Sequence, residues 1–163
     1  MNSDIAFDTM QKASIQLHPL PDRRGRRRAW GVDVLVVDDD AADTALILTA
    51  LNRNPQVTSA RATDAPEFAL RQFATSNLRP NLVLLDIHMP KLDGFAFLSA
   101  LREIPAMAGV PVVFLTTSSL ASDIARMPDS SASLYVLKPN SSSELQSRLN
   151  GVIRLASTGG LIH

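Results

Sequence analysis

The nine residues VDVLVVDDD (32–40) join an apolar run to an abrupt acidic end. Residues 32–37 are rich in β-branched side chains, which is typical of a strand buried on both faces. Buried strands of this kind occur mainly in parallel sheets that helices cover on both sides. In such sheets, ligands bind beyond the carboxyl ends of the strands. The stretch therefore predicts an α/β sheet with a functional site where the aspartates begin.

The same pattern returns three more times along the chain. NLVLLD (81–86) again ends in an aspartate, PVVFLTT (111–117) ends in hydroxyl side chains, and LYVLKP (134–139) ends in a lysine. VTSARA (57–62) is a weaker strand candidate. Five strands separated by helical patterns predict a doubly wound βα repeat with a parallel sheet.

Helical patterns follow each of these strands. After the first strand, apolar residues recur at helical spacing at Leu46, Ile47 and Leu51. They predict a helix whose N-cap is Asp40 or Asp43. The other predicted helices lie at 64–74, 93–104, 120–127 and from 141 onward. Asp64 is the predicted cap of the first of these helices, and Ser141 is the predicted cap of the last.

Composition narrows the class of protein. The 163 residues are 45% hydrophobic and 20% charged, which is typical of one globular domain. The formal net charge of zero argues against a surface built to coat nucleic acid. The absence of cysteine excludes disulfides, thiolate metal sites and a thiol nucleophile. No apolar run approaches the roughly 20 residues of a membrane helix, and no secretory signal is visible, so a cytoplasmic protein is expected.

Charge is distributed unevenly. Residues 1–30 carry six basic and three acidic side chains, a net charge of +3, and include the run DRRGRRR (22–28). We therefore predict a flexible, arginine-rich tail over 1–31, a globular domain over 32–156 and a short C-terminal tail over 157–163. Binding of nucleic acid is expected only through the arginine-rich tail, if at all.

The strand ends bring together a characteristic set of polar groups. Asp38 and Asp39 follow the first strand and Asp86 the third, and three carboxylates held together repel one another unless a cation lies between them. Oxygen ligands and incomplete protein coordination suit Mg²⁺, which favours a phosphate as a further ligand. Thr116 and Lys138 end the fourth and fifth strands and would face that anion. Asp86 is thus predicted to accept a phosphoryl group.

These motifs resemble those of a response-regulator receiver domain of the CheY-like type over about residues 32–156. The resemblance is carried by VLVVDDD (34–40), LVLLDIHMPKLDG (82–94), VVFLTTS (112–118) and YVLKP (135–139). It implies a flavodoxin-like three-layer sandwich, (βα)5, with a five-stranded parallel sheet in the order 2-1-3-4-5.

The resemblance also implies roles for individual residues. Asp86 would be the phosphoacceptor and, with Asp39, a direct Mg²⁺ ligand. Asp38 would act on the metal through water, and His88 would contribute its backbone carbonyl. Lys138 would pair with the acyl phosphate.

Two further residues resemble the family's conformational switch. Thr116 would donate to the phosphate, and Tyr135 would move inward when Thr116 is drawn toward it. Pro139 matches a proline that usually follows a cis peptide bond. Gly94 would permit a tight backbone path after the acceptor.

By this resemblance the chain is expected to be a single-domain response regulator of a two-component phosphorelay, because only eight residues follow Leu155. It would be a phosphoacceptor and not an enzyme, although it would assist its own phosphotransfer and autodephosphorylation. The expected partners are a histidine kinase or phosphotransfer protein and a downstream target protein, and a homodimer is compatible with the sequence. Ser131 and Pro128 depart from the family pattern and leave the fourth helix and the output mode open.

Three alternatives stay open. A phosphatase of the haloacid-dehalogenase type would use Asp38 and Asp40 as its D-x-D pair, but Ala42 stands where that motif has threonine. A receiver-like scaffold would bind partners without phosphorylation. The third alternative is nucleic-acid binding through the arginine run.

Overall fold

One mixed sheet organises the described part of the chain. The computed structural model describes residues 31–76, 78–117, 121–126 and 133–161, and the backbone of 16–18. Within these residues the sheet has six strands in the order β1-β3-β2-β4-β5-β6. They are β1 (Gln16–His18), β2 (Val32–Val37), β3 (Val57–Thr63), β4 (Leu82–Leu85), β5 (Val112–Thr116) and β6 (Ser133–Leu137).

Helices alternate with the strands from β2 onward. They are α1 (Ala41–Asn52), α2 (Pro66–Thr75), α3 (Gly94–Arg102), α4 (Ala121–Ala125) and α5 (Ser142–Ser157), with a 3₁₀ turn at Pro105–Met107.

The five strands from β2 to β6 are parallel. If β2 is counted as the first strand, these five strands lie side by side in the order 2-1-3-4-5. The predicted doubly wound, flavodoxin-like fold is therefore confirmed. Strand β1 was not predicted from the sequence, and it pairs antiparallel with β3 at the edge of the sheet. This short strand lies inside the segment that was predicted as a tail.

Two apolar cores lie on the two faces of the sheet. Side chains of β2 alternate between them, with Val34 and Val36 on one face and Leu35 and Val37 on the other. Helices α1 and α5 cover the first face, and α2 and α3 cover the second. The strands are therefore buried on both sides, which explains why they are apolar without alternation.

The helix starts agree in part with the predicted caps. Asp40 caps α1 by accepting from the Asp43 backbone N–H at 2.9 Å, and Ser141 caps α5 by accepting from the Glu144 N–H at 3.2 Å. The prediction that Asp64 caps the second helix is wrong. Ala65 occupies the cap position of α2 without a side-chain bond, and its own N–H donates to the Thr63 hydroxyl.

At the C-terminus, packing continues past residue 156, where the sequence analysis placed the end of the domain. Helix α5 runs to Ser157, and Leu161 is buried in the α1–α5 core. The arginine run, Pro128 and Ser131, as well as both ends of the predicted 120–127 helix, lie outside the described residues. The remaining domain limits stay predictions.

The loop after β4 turns tightly against its own strand. A Cβ atom on Gly94 would lie 2.4 Å from the Asp86 carbonyl oxygen and 3.0 Å from the Ile87 Cα, so only glycine fits there. Lys91 in the same loop has a left-handed backbone, with φ of 71°. The expected cis bond before Pro139 is not found, because the described peptide bonds, including this one, are trans.

Replacing Gly94 with alanine tests this close approach. We expect Gly94→Ala to lower the free energy of unfolding by about 1–3 kcal/mol, because the new methyl group meets backbone atoms that must shift. Gly151→Ala is the matched control, since nothing lies within 4 Å of a Cβ there and the site is inside α5. The control should raise stability by about 0.5–1 kcal/mol in urea unfolding. Equal effects of the two substitutions would contradict the close approach.

Candidate functional site

The last hydrogen bonds of the sheet place the polar residues at its carboxyl edge. The Asp86 N–H donates to the Val37 carbonyl at 2.9 Å, and the Asp38 N–H donates to the Thr63 carbonyl at 3.1 Å. The Lys138 N–H likewise donates to the Thr116 carbonyl at 2.8 Å. The parallel ladder therefore aligns the residues that follow these strands.

Three carboxylates meet at this edge, as the sequence analysis predicted. Asp38, Asp39 and Asp86 each offer one oxygen, and these oxygens lie within 4.8 Å of one another. Asp38 and Asp86 are buried, at 3% and 8% exposure, whereas Asp39 is exposed. Such a set of hard oxygen atoms, open to solvent on one side, has the chemistry that Mg²⁺ prefers.

Lys138 places a positive charge beside the three carboxylates. Its Nζ atom lies 2.6 Å from Asp38 Oδ2, 2.8 Å from Asp43 Oδ2 and 3.6 Å from Asp86 Oδ1. Burial alone would lower the pKa of this ammonium group. The hydrogen bonds with Asp38 and Asp43, together with the negative charges of Asp38 and Asp86, outweigh burial and raise the pKa to about 12.

Asp38 has both of its oxygens engaged. Oδ2 accepts from Lys138, and Oδ1 accepts from the Asp40 backbone N–H at 2.9 Å. Burial raises the pKa of the Asp38 carboxyl group, and the hydrogen bond from Lys138 opposes that shift. Each of these oxygens keeps a further lone pair, so the Asp38 carboxylate can still accept from a metal-bound water or contact a cation.

The two proposed switch residues lie on neighbouring strands. Thr116 is fully buried at the end of β5. Tyr135 stands opposite Phe114 in the parallel register and packs, half-buried, against the core on the α2–α3 face. Burial and the nearby Asp123 carboxylate raise the pKa of the Tyr135 hydroxyl.

The side chain of His88 has a partner that the sequence analysis did not predict. His88 Nε2 lies 3.0 Å from Oδ2 of Asp123, a buried carboxylate on α4. A second bridge joins Arg126 to Asp93 at 3.0 Å, with the Arg126 guanidinium 4.2 Å from the centroid of the Phe95 ring. Two bridges thus connect the loop after Asp86 to α4 and to Arg126, the residue directly after it.

Two residues that contact the site, Asp43 and Asp123, were not predicted from the sequence to do so. Asp43 was recognised as one of the crowded acidic residues after β2 and as a possible helix cap, but its contact with Lys138 was not predicted. Asp123 follows no motif that would mark it, since its contact depends on where α4 lies in three dimensions.

The fold and the acidic edge define a class of protein, namely receiver domains of signalling proteins. Residues 34–150 match the response regulator receiver domain family, and the chain belongs to that family. The chain is 38% identical over 122 residues to a probable transcriptional regulator, ycf27, of Porphyridium aerugineum, covering 74% of this chain and 48% of that protein. It is 37% identical over 121 residues to the DNA-binding response regulator MtrA of Mycobacterium tuberculosis, covering 74% and 50%. The chain thus spans about half the length of these curated relatives.

Solved structures show the same fold. The phosphorylated cyanobacterial phytochrome response regulator RcpA aligns with a TM-score of 0.65 at 24% identity, covering 77% of this chain and 93% of that one. The Mn²⁺-bound response regulator Rcp1 aligns with a TM-score of 0.62 at 25% identity, covering 74% and 91%.

Membership of this family settles the general role. Receiver domains are signalling phosphoacceptor domains that interact with histidine kinases and downstream effectors, and the family binds Mg²⁺ at its active site. None of the helices in the described residues combines the length and apolar character that crossing a bilayer requires.

The exposed carboxylate of Asp39 offers a test of charge crowding in this cluster. We expect Asp39→Asn to raise the unfolding free energy of the metal-free protein by about 0.5–2 kcal/mol, because it removes one of three like charges. Thermal unfolding in a chelating buffer measures this change. Glu67→Gln is the control, since it removes an exposed charge from the first turn of α2, outside the cluster. An Asp39 variant no more stable than the control would show that the carboxylates do not repel appreciably.

Proposed function

We propose that Asp86 accepts a phosphoryl group from a histidine kinase or phosphotransfer protein in an Mg²⁺-dependent reaction. The observation that carries this proposal is the convergence of Asp38, Asp39 and Asp86 within 4.8 Å, with the Lys138 ammonium 3.6 Å from Asp86. This combination of a nucleophilic carboxylate, a potential metal cluster and a cation is what phosphoryl transfer to aspartate requires.

The residues present fit a magnesium ion. Asp39 and Asp86 would bind it directly, together with the backbone carbonyl of His88. Asp38, whose oxygens also accept from Lys138 and from the Asp40 N–H, would act through water. When bound, Mg²⁺ would offset the charge of the transferring phosphoryl oxygens.

The chain's own groups would perform the transfer. An Asp86 carboxylate oxygen forms the bond to phosphorus while the bond from phosphorus to the donor's leaving atom breaks. Lys138 would donate to one phosphoryl oxygen and Thr116 to another, which stabilises the charge in the transition state. The buried position of Asp86 would limit access of bulk water during the step.

The proposed output is a change in docking on the face formed by α4, β6 and α5. Thr116 would be drawn toward the phosphate and Tyr135 would follow it inward, which shifts an existing equilibrium. Exposed Ile124 on α4 and Leu137 on β6 would supply apolar contact area for a target protein or a second copy. A single-domain organisation, autodephosphorylation and a cytoplasmic location stay predictions.

The geometry gives no support to the phosphatase alternative. Asp40, which would be the second acid of a D-x-D pair, is exposed and caps α1. It lies outside the cluster formed by Asp38, Asp39 and Asp86.

Phosphorylation of the acceptor is directly measurable. Incubation with acetyl phosphate and Mg²⁺ should add the mass of one phosphoryl group to the intact protein. Asp86→Asn should abolish the gain, because an amide cannot form the acyl phosphate, and chelation of the metal should abolish it as well. Asp40→Asn keeps helix capping and should retain the gain. A phosphoryl group retained on Asp86→Asn would overturn the assignment.

Binding of the metal can be measured without any phosphodonor. Mg²⁺ in the millimolar range should raise the unfolding temperature of the wild-type protein, since an ion that binds only the folded state stabilises it. The increase should be lost in Asp39→Asn, which lacks a proposed direct ligand. The Asp64→Asn variant, which changes another exposed aspartate, should respond like wild type. An undiminished response of Asp39→Asn would remove Asp39 from the ligand set.

A further inference from the structure

Asp43 contributes a carboxylate to Lys138 from outside the three-carboxylate cluster. Its Oδ2 atom lies 2.8 Å from Lys138 Nζ, and 34% of its side chain is exposed. The side chain starts from the first turn of α1, where the Asp43 N–H is fixed by the Asp40 cap. The backbone that carries Asp43 is therefore held in place.

The ammonium group lies closer to α1 than to the proposed acceptor. Lys138 Nζ is 2.6 Å from Asp38 and 2.8 Å from Asp43, but 3.6 Å from Asp86. Asp38 and Asp86 belong to the cluster that would share its charge with a metal ion, whereas Asp43 does not. With metal bound, Asp43 would therefore be the carboxylate that attracts Lys138 most strongly.

We propose that Asp43 is a positioning residue that holds Lys138 away from Asp86 in the unphosphorylated protein and slows phosphorylation. Lys138 exchanges its ion pair with Asp43 for a phosphoryl oxygen when Asp86 is phosphorylated. This inference rests on the proposed function. The exchange itself breaks no covalent bond and moves no proton, because the ammonium group stays charged throughout.

Two electrostatic effects of Asp43 act in the same direction. The Lys138–Asp43 pair stabilises the resting position of the lysine, so transfer must first give up that interaction. The negative charge of Asp43 also opposes the approach of an anionic donor to the same ammonium group. Removing the charge should therefore accelerate transfer and favour the phosphorylated state.

The rate of phosphorylation by acetyl phosphate at saturating Mg²⁺ tests this role. Asp43→Asn should increase the second-order rate constant by about 1.5-fold to fivefold, the range expected for a partly exposed ion pair. Asp43→Glu restores the charge and should return the rate toward that of wild type. Asp40→Asn removes a charge from the same helix start without touching Lys138, and it should leave the rate unchanged.

The rates of the variants can contradict the proposed role of Asp43 in two ways. An Asp43→Asn rate equal to or below that of wild type would overturn it, since the contact would then be neutral or would help transfer. Equal acceleration by Asp40→Asn would also overturn it, because the effect would then come from the overall negative charge near the site and not from the contact with Lys138. If the wild-type protein gains no phosphoryl group at Asp86, the proposed function itself fails, and the inference about Asp43 fails with it.

A structure with Mg²⁺ and beryllofluoride, which mimics a phosphoryl group on aspartate, measures the exchange directly. We expect Lys138 Nζ to contact a fluorine atom and to lie beyond 3.5 Å from Asp43. A Lys138–Asp43 hydrogen bond kept in that state would overturn the exchange.

Discussion

The ion pairs of Lys138 make the acidic edge of the sheet compatible with a folded protein. Asp38 and Asp86 are buried there, and burial of uncompensated carboxylates would cost several kcal/mol. The lysine ammonium contacts Asp38 and Asp43 and lies near Asp86, and its pKa of about 12 keeps it charged at any physiological pH. Lys138, directly after β6, thus offsets negative charges that follow β2 and β4 and one in the first turn of α1.

This arrangement depends on the register of the parallel sheet. The N–H groups of Asp86 and Lys138 donate to carbonyls of the neighbouring strands, and these bonds fix where each side chain leaves the edge. A slip of one residue would turn each side chain to the opposite face. In one direction a slip of β4 would carry the Asp86 carboxylate into an apolar core, because every residue of β4 is buried on one face or the other. The chemistry at the edge therefore rests on packing several residues away.

Sequence alone predicted the features that depend on local pattern. Buried strands are marked by their apolar runs, and the position of Asp86 or Lys138 follows from the end of a run. The contacts made by Asp43 and Asp123 were not predictable in this way, because they depend on how α1 and α4 lie against the sheet. The Asp64 cap failed because Thr63 satisfies the Ala65 N–H instead, a competition that residue preference does not resolve. Strand β1 was missed because a three-residue edge strand has too little periodicity to detect.

The contacts between the loop after Asp86 and α4 are polar. His88 with Asp123, and Arg126 with Asp93, join the two segments through charged or ionisable side chains. Hydrogen bonds weaken steeply when their donor–acceptor geometry departs from the ideal, whereas the hydrophobic effect is non-directional. A small displacement of the loop after Asp86 therefore changes the energy of its contacts with α4 more than it changes the energy of the cores beneath. These two contacts are therefore a route by which a shift of the loop after Asp86 would reach α4 and Arg126.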